Sequence, residues 1–304
     1  MPGESVSPVH PAPAAPTAPR WATVRGAGTY TTQGMSRRAF LGLLGFGAVA
    51  AAAGGSIGST YRFQVERLSV SHASIAQPLT VAWLCDMHFG PFIHAGLVAA
   101  WVDATLELAP DLVLLGGDLV DQHAPDDVTP LVAQLRRLWA PLGVYSVLGN
   151  HEYARFGRGP ALEAFLADLD DAGITTLVNR GVAVRDDLYL AGIDAVGGGF
   201  RRIGVALHDQ PSGTMRLVAA HKPDVLPLMP ADVELTLCGH THGGQVRLPG
   251  IGPLLFDSRM SRDYSSGWYR SPSLGYVSRG LGVAHVPVRI ACPAELTLAT
   301  LTPA

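Results

Sequence analysis

The sequence predicts an α/β fold in which two packed sheets are flanked by helices. Two patterns carry that expectation. From about residue 79, short apolar runs alternate with amphipathic stretches of helical length, the βαβ layout of a mostly parallel sheet. After Gly173 the texture changes to short β-like runs, which argues for a second sheet. Of 304 residues 48% are apolar and 15% charged, enough apolar surface for a sizeable core.

In order, residues 79–85 read as a buried strand, 95–108 as an amphipathic helix, 111–115 as a strand, and 128–139 as a second helix. Residues 144–148 read as a third strand and 161–172 as a third helix. Strands are then expected at 176–178, 182–184, 188–193, 216–220, 235–238, 276–278 and 296–301. No repeat and no linker interrupts this region, so residues 79–304 read as one domain.

The first part of the chain is different. Residues 1–34 are a Pro/Ala-rich leader without apolar period, a composition that stays disordered. Ser36-Arg37-Arg38-Ala39-Phe40-Leu41 then opens an uncharged apolar stretch reaching about Ile57. Residues 35–58 thus resemble a twin-arginine export signal, with the export machinery as the implied partner. The stretch is short for a spanning helix, which needs about 20 apolar residues. Left uncleaved, residues 39–57 would hold the chain at a membrane. Residues 59–78 form an entry segment. The expected location is outside the cytoplasm, membrane-anchored or associated with the cell wall.

A formal net charge of -3, with Lys222 the sole lysine and no basic run, gives no footprint for nucleic acid. Cys85, Cys238 and Cys292 are too few and too irregular for a disulfide framework and read as buried core residues.

Chemistry gathers at the strand ends. Asp86-Met87-His88 follows the first strand, Gly116-Gly117-Asp118 the second, and Gly149-Asn150-His151-Glu152 the third. His221 and then Gly239-His240-Thr241-His242-Gly243-Gly244 close two later strands. Ligands of such sheets bind beyond the strand carboxyl ends, so these runs share one edge. In Asp-x-His an extended backbone would point a carboxylate and an imidazole the same way, toward one ion. His240 and His242 can do likewise, or serve neighbouring ions. Buried carboxylates at Asp86 and Asp118 call for a counter-charge, which a divalent metal provides. Singly, each residue also has a structural reading: a cap for Asp86 or Asp118, a left-handed turn for Asn150, a core histidine for His221. Asp121 reads as a turn cap.

Asp-x-His, Gly-Asp-x-x-Asp, Gly-Asn-His-Glu, a lone His and Gly-His-Thr-His, in that order, resemble the calcineurin-like metallophosphoesterase superfamily from about residue 80 onward. Gly239 to Gln245, Ser278-Arg279-Gly280-Leu281-Gly282 and the twin-arginine-like signal resemble its YkuE-type exported phosphodiesterase branch. The resemblance implies a four-layer α/β/β/α sandwich of two mixed sheets with a dinuclear centre between them. It implies that Asp86, His88 and His242 hold one divalent transition-metal ion and Asn150, His221 and His240 a second, with Asp118 bridging. Mn is the first expectation, and Fe or Zn also suits a mixed N/O ligand set. His151 is implied to stay unligated and face the substrate. Glu152 stands where the family often has Asp, outside the ligand set.

Two ions about 3.5–4 Å apart can share a bridging hydroxide and clamp a phosphate, with His151 assisting the leaving oxygen. The expected reaction is hydrolysis of a phosphodiester or pyrophosphate of the cell envelope. The alternatives are a phosphomonoesterase on the same centre and a non-catalytic metal-binding envelope protein. His285 reads as a surface residue or as one that reaches the phosphate, and Phe256, Tyr264, Trp268 and Tyr269 as an aromatic stretch that packs a loop over the core or touches a membrane or an acyl chain.

Overall fold

The computed structural model describes residues 60–194, 202–248, 250–254, 263–270 and 272–304. The leader, the twin-arginine-like segment and Phe256 lie outside the described residues.

Strand β1 (Phe63–Ser71) is followed by β2 (Leu79–Leu84), helix α1 (Ala95–Glu107), β3 (Leu112–Leu115), α2 (Thr129–Leu135) and β4 (Val144–Ser146). Then come α3 (Asn150–Phe156), α4 (Pro160–Asp171) and β5 (Ile174–Thr176). The second half supplies β6 (Arg180–Arg185), β7 (Leu188–Ile193), α5 (Ile203–Ala206), β8 (Met215–Ala220), a 3₁₀ turn (Pro223–Leu228) and β9 (Leu235–Cys238). A small β10–β11 hairpin (Arg247–Leu248, Gly252–Pro253) precedes β12 (Gly267–Arg270), β13 (Leu274–Val277) and β14 (Ala294–Thr302).

These strands form two six-stranded mixed sheets, ordered β1-β14-β2-β3-β4-β5 and β12-β13-β9-β8-β7-β6. In the first, β2, β3, β4 and β5 are mutually parallel, while β14 runs antiparallel to β2. In the second, β7, β8, β9 and β13 are parallel. The apolar runs explain the layering. Val81, Trp83, Leu112 and Leu114 face inward and meet Leu188, Leu190, Leu217, Leu235 and Leu237 of the opposite sheet. The alternate residues Ala82, Leu84, Val113 and Leu115 pack outward against α1, α2 and α4. Ala191, Ile193, Val218 and Ala220 pack on the other side against α5 and the 3₁₀ turn. Four layers result, α/β/β/α. Trp83 is fully buried between the sheets, a placement whose truncation to alanine costs about 3–5 kcal/mol.

The entry segment 59–78 contains β1, which pairs in parallel with β14 through Phe63↔Ala294 to Ser71↔Thr302. Three expectations need correction. The helix expected at 128–139 ends at Leu135, because Leu138 folds under into the core while Trp139 stays 69% exposed. The strand expected at 176–178 lies at Ile174–Thr176, with Leu177 tied by its amide to the Ser146 carbonyl. Asn150, read as a possible left-handed turn, opens helix α3.

Candidate metal centre

Five parallel strand ends deliver the candidate residues to one edge: β2, β3 and β4 from the first sheet, β8 and β9 from the second. Asp86, His88 and His242 form one cluster, and Asp118, His221 and His240 another; within each, donor atoms all lie within 4.8 Å of one another. Asp118 also groups with His88 and His151, so it stands between the two clusters. None of these seven side chains belongs to a residue more than 8% exposed, so their charges are stripped of water and must be balanced from within.

The backbone is not extended at these positions. Asp86, His88, Asp118, His240 and His242 all take positive φ, between 49° and 73°. The left-handed backbone, not strand alternation, turns Asp86 and His88 toward a common point. Such conformations cost roughly 1–3 kcal/mol each and persist where the surroundings over-determine them. Two glycines show how tight those surroundings are. A Cβ on Gly149 would collide with the Asp118 carboxylate and amide, and one on Gly280 (φ 66°) would sit 2.7 Å from the Asp86 side chain.

Hydrogen bonds aim each ring and carboxylate. The His240 amide donates to both Asp86 oxygens at 2.9 and 3.0 Å. The His151 amide donates to Asp118 Oδ1 at 2.8 Å. Asp118 Oδ2 is left facing His221 Nε2 at 3.1 Å and His88 Nε2 at 3.6 Å. His221 Nδ1 donates to the Gly116 carbonyl at 2.9 Å, which turns Nε2 toward Asp118. His88 Nε2 and His242 Nε2 approach to 2.9 Å; two lone pairs face each other at that range only with a proton or cation between them.

The titration pattern follows. Burial raises the Asp86 carboxyl, with the Asp118 charge adding to it. Burial also works against the Asp118 carboxylate, but His221, His151 and His88 hold it well below its usual range. For His221, burial would lower the ring, and the Asp118 and Asp86 carboxylates override it and raise it to about 9. Burial, with His88 and Arg289 nearby, pushes His242 well down, leaving a neutral ring suited to ligation.

The residues fit a metal. Asn150 Oδ1 is buried with no hydrogen-bond partner among the described residues. A buried, bare amide oxygen is costly unless a cation or donor meets it.

Sequence noted Glu152 only as lying outside the ligand set and did not single out Arg289, yet both shape the centre. Glu152, fully buried, accepts the amides of Asp118 (3.0 Å), Leu119 (2.6 Å) and Gly149 (2.7 Å), stitching the β3 and β4 end loops together. Its signal was a glutamate three residues past Gly149 at a helix start, the position that reaches back to the cap amide. Arg289's signal was a lone cation within an apolar run. Asp121 does cap a turn, accepting the His123 amide at 2.8 Å, and its other oxygen faces His88 Nδ1 at 3.4 Å. His285 is exposed and lies outside these clusters, and Tyr264 and Tyr269 pack against each other and the outer core. Trp268 stacks edge-on against Tyr276. All three cysteines are free and buried.

The family profile described as calcineurin-like phosphoesterase matches residues 79–244, more than half the chain and every one of the eight candidate residues. The chain belongs to the calcineurin-like phosphoesterase family. It is 30% identical over 296 residues to the uncharacterized metallophosphoesterase YkuE of Bacillus subtilis, covering 88% of this chain and 98% of that protein. Phosphodiesterase YaeI of Escherichia coli is 29% identical over 231 residues, 74% of this chain and 83% of YaeI. A Helicobacter pylori metallophosphoesterase is 31% identical over 239 residues, 74% of this chain but 60% of its own greater length. Among solved structures, TT1561 of Thermus thermophilus aligns with a TM-score of 0.43 at 12% identity, over 67% of this chain and 90% of that one. This calcineurin-like phosphoesterase is a metal-dependent hydrolase of phosphate esters, and its family's chemistry uses divalent ions.

Proposed function

We propose that this phosphoesterase hydrolyses a phosphodiester or pyrophosphate of the cell envelope at a pair of divalent transition-metal ions. The observation that carries the reading is Asp118 Oδ2, held between His88 Nε2 and His221 Nε2 with a cluster on each side. Asp86, His88 and His242 would hold one ion, Asn150, His221 and His240 the other, and Asp118 both. When bound, such ions supply Lewis-acid polarisation of phosphoryl oxygens and a lowered pKa for water. They also attract a phosphate anion without a Lys or Arg cluster. The mixed nitrogen and oxygen set suits Mn, Fe or Zn, with Mn preferred.

In this reading His151 is the residue that touches substrate. The Gln122 amide donates to its Nδ1 at 3.0 Å, so the ring proton resides on Nε2. Burial pushes the ring down to about 4, so near neutral pH His151 is an uncharged hydrogen-bond donor. In this role it stabilises negative charge growing on the departing oxygen. The twin-arginine-like Ser36 to Leu41 and the uncharged segment 39–57 support export through that machinery and a place at the outer membrane surface or wall.

The purified full chain is tested with Mn²⁺ added and then chelated, on matched aryl phosphate mono- and diesters and on envelope lipids and wall fragments. Diesters are expected to turn over faster, with about two ions per chain. A monoester preference selects the phosphomonoesterase alternative, and ion binding with no hydrolysis selects the non-catalytic one. Asp118→Asn is expected to remove activity and most bound metal together; full metal retention would refute its shared role.

A further inference from the structure

Arg289 is 5% exposed and has no carboxylate partner among its hydrogen bonds. A buried guanidinium is costly unless its five N–H donors are met, and here backbone carbonyls meet them. Nη2 donates to the carbonyls of Gly282 (2.6 Å), Arg279 (2.8 Å) and Gly280 (3.1 Å), and Nε to Gly282 at 3.0 Å. Nη1 reaches the Cys292 and His242 carbonyls at 3.3 and 3.5 Å, and Nη2 lies 3.4 Å from His242 Nδ1.

The gripped loop has a second face. Its Leu281 amide donates to the Cys85 carbonyl at 3.0 Å and its Gly282 amide to the Asp86 carbonyl at 2.7 Å. A Cβ on Gly282 would strike the Met87 carbonyl. The guanidinium thus ties together the backbone behind Asp86 and the backbone and ring of His242. Asp118 and Asn150 are held from elsewhere, through the His151 amide, Glu152 and helix α3.

We infer that Arg289 is a positioning residue for one ion site alone, the Asp86–His88–His242 cluster, and sets its affinity relative to the second. This rests on the two-ion reading above. Removing outer partners of ligands typically weakens metal binding about 10–100-fold, and here the loss falls on one of two ions.

The test is Mn²⁺ titration of the metal-stripped full chain by calorimetry, with electron paramagnetic resonance to separate a coupled ion pair from an isolated ion. Wild type is expected to bind two ions and show the coupled signal. If it does not, the two-ion reading fails and the Arg289 assignment with it. R289Q is expected to keep one tight ion, bind the other at least about tenfold more weakly, and show the isolated-ion signal at one equivalent. R289K, which keeps charge but not the planar fork, guards against a misfolded R289Q and is expected to fall between the two. Two ions bound at wild-type affinity, or equal weakening of both in a folded variant, would overturn the assignment.

Discussion

The carboxylate of Glu152 accepts the backbone amide of Asp118 at 3.0 Å across 34 residues of chain. The same side chain holds the Gly149 amide at 2.7 Å, so one anion fixes both loops that flank the shared carboxylate. E152Q replaces an acceptor oxygen with an NH₂ that faces N–H donors. The expected cost is about 1–3 kcal/mol, the penalty for a buried unmet donor. Urea denaturation with chelator present, so that bound metal does not mask the loss, measures it. A variant as stable as wild type would contradict the stitching role.

Replacing His151 by alanine should leave metal content intact, since its Nδ1 is already engaged by the Gln122 amide at 3.0 Å. Turnover should fall about 10²–10⁴-fold. The loss should be larger for an alkyl than for a nitrophenyl leaving group, because the poorer leaving oxygen needs the donor more. Equal losses on both would point to a different role.

At Gly149 a side chain would collide with the Asp118 carboxylate and amide. G149A should therefore displace Asp118, and a shift of about 1 Å at a reacting centre costs about 10²-fold in rate. Kinetics at saturating Mn²⁺ separate this from a simple fall in metal affinity.

Far from the centre, Asp187 accepts the Ala76 amide at 2.7 Å and an Arg185 N–H at 2.9 Å. Burial alone would raise its carboxyl, but Arg185 and the Ala76 amide hold it below the usual aspartate value. The native state thus prefers the ionised form. Its stabilisation is present above the unfolded-state pKa of about 3.9 and is lost as pH falls through the lower folded-state value. The stability advantage of wild type over D187N should be full near pH 7 and shrink below about pH 4. Urea melts at pH 7 and pH 3 read it directly, and a constant gap would refute the ionic cause.

The two-sheet α/β class and the ligand-bearing strand ends were legible because apolar runs and the polar residues that end them are local signals. Leu188–Ile193 and Leu235–Cys238 form strands at the expected bounds. What was not legible depends on distant chain. β1 has charged residues along it, Glu66 and Arg67, and becomes a strand through its pairing with β14. The positive φ of Asp86 and His88, with the Gly280 loop packed close behind Asp86, is something no Asp-x-His spacing encodes. Glu152 and Arg289 bond to main-chain groups, leaving no partner residue type to find in the sequence.

Strand β14 lies between β1 and β2, pairing with Phe63–Ser71 on one side and Leu79–Leu84 on the other. Among the described residues β1 therefore has no neighbour in its sheet until Ala294–Thr302 has been synthesised. The order of synthesis and the order of assembly are opposed: a nascent chain that has emerged as far as β13 still carries an open seam beside β2. Completion of that sheet waits for β14, and loss of the segment Ala294–Thr302 would part the sheet in two, not shorten it.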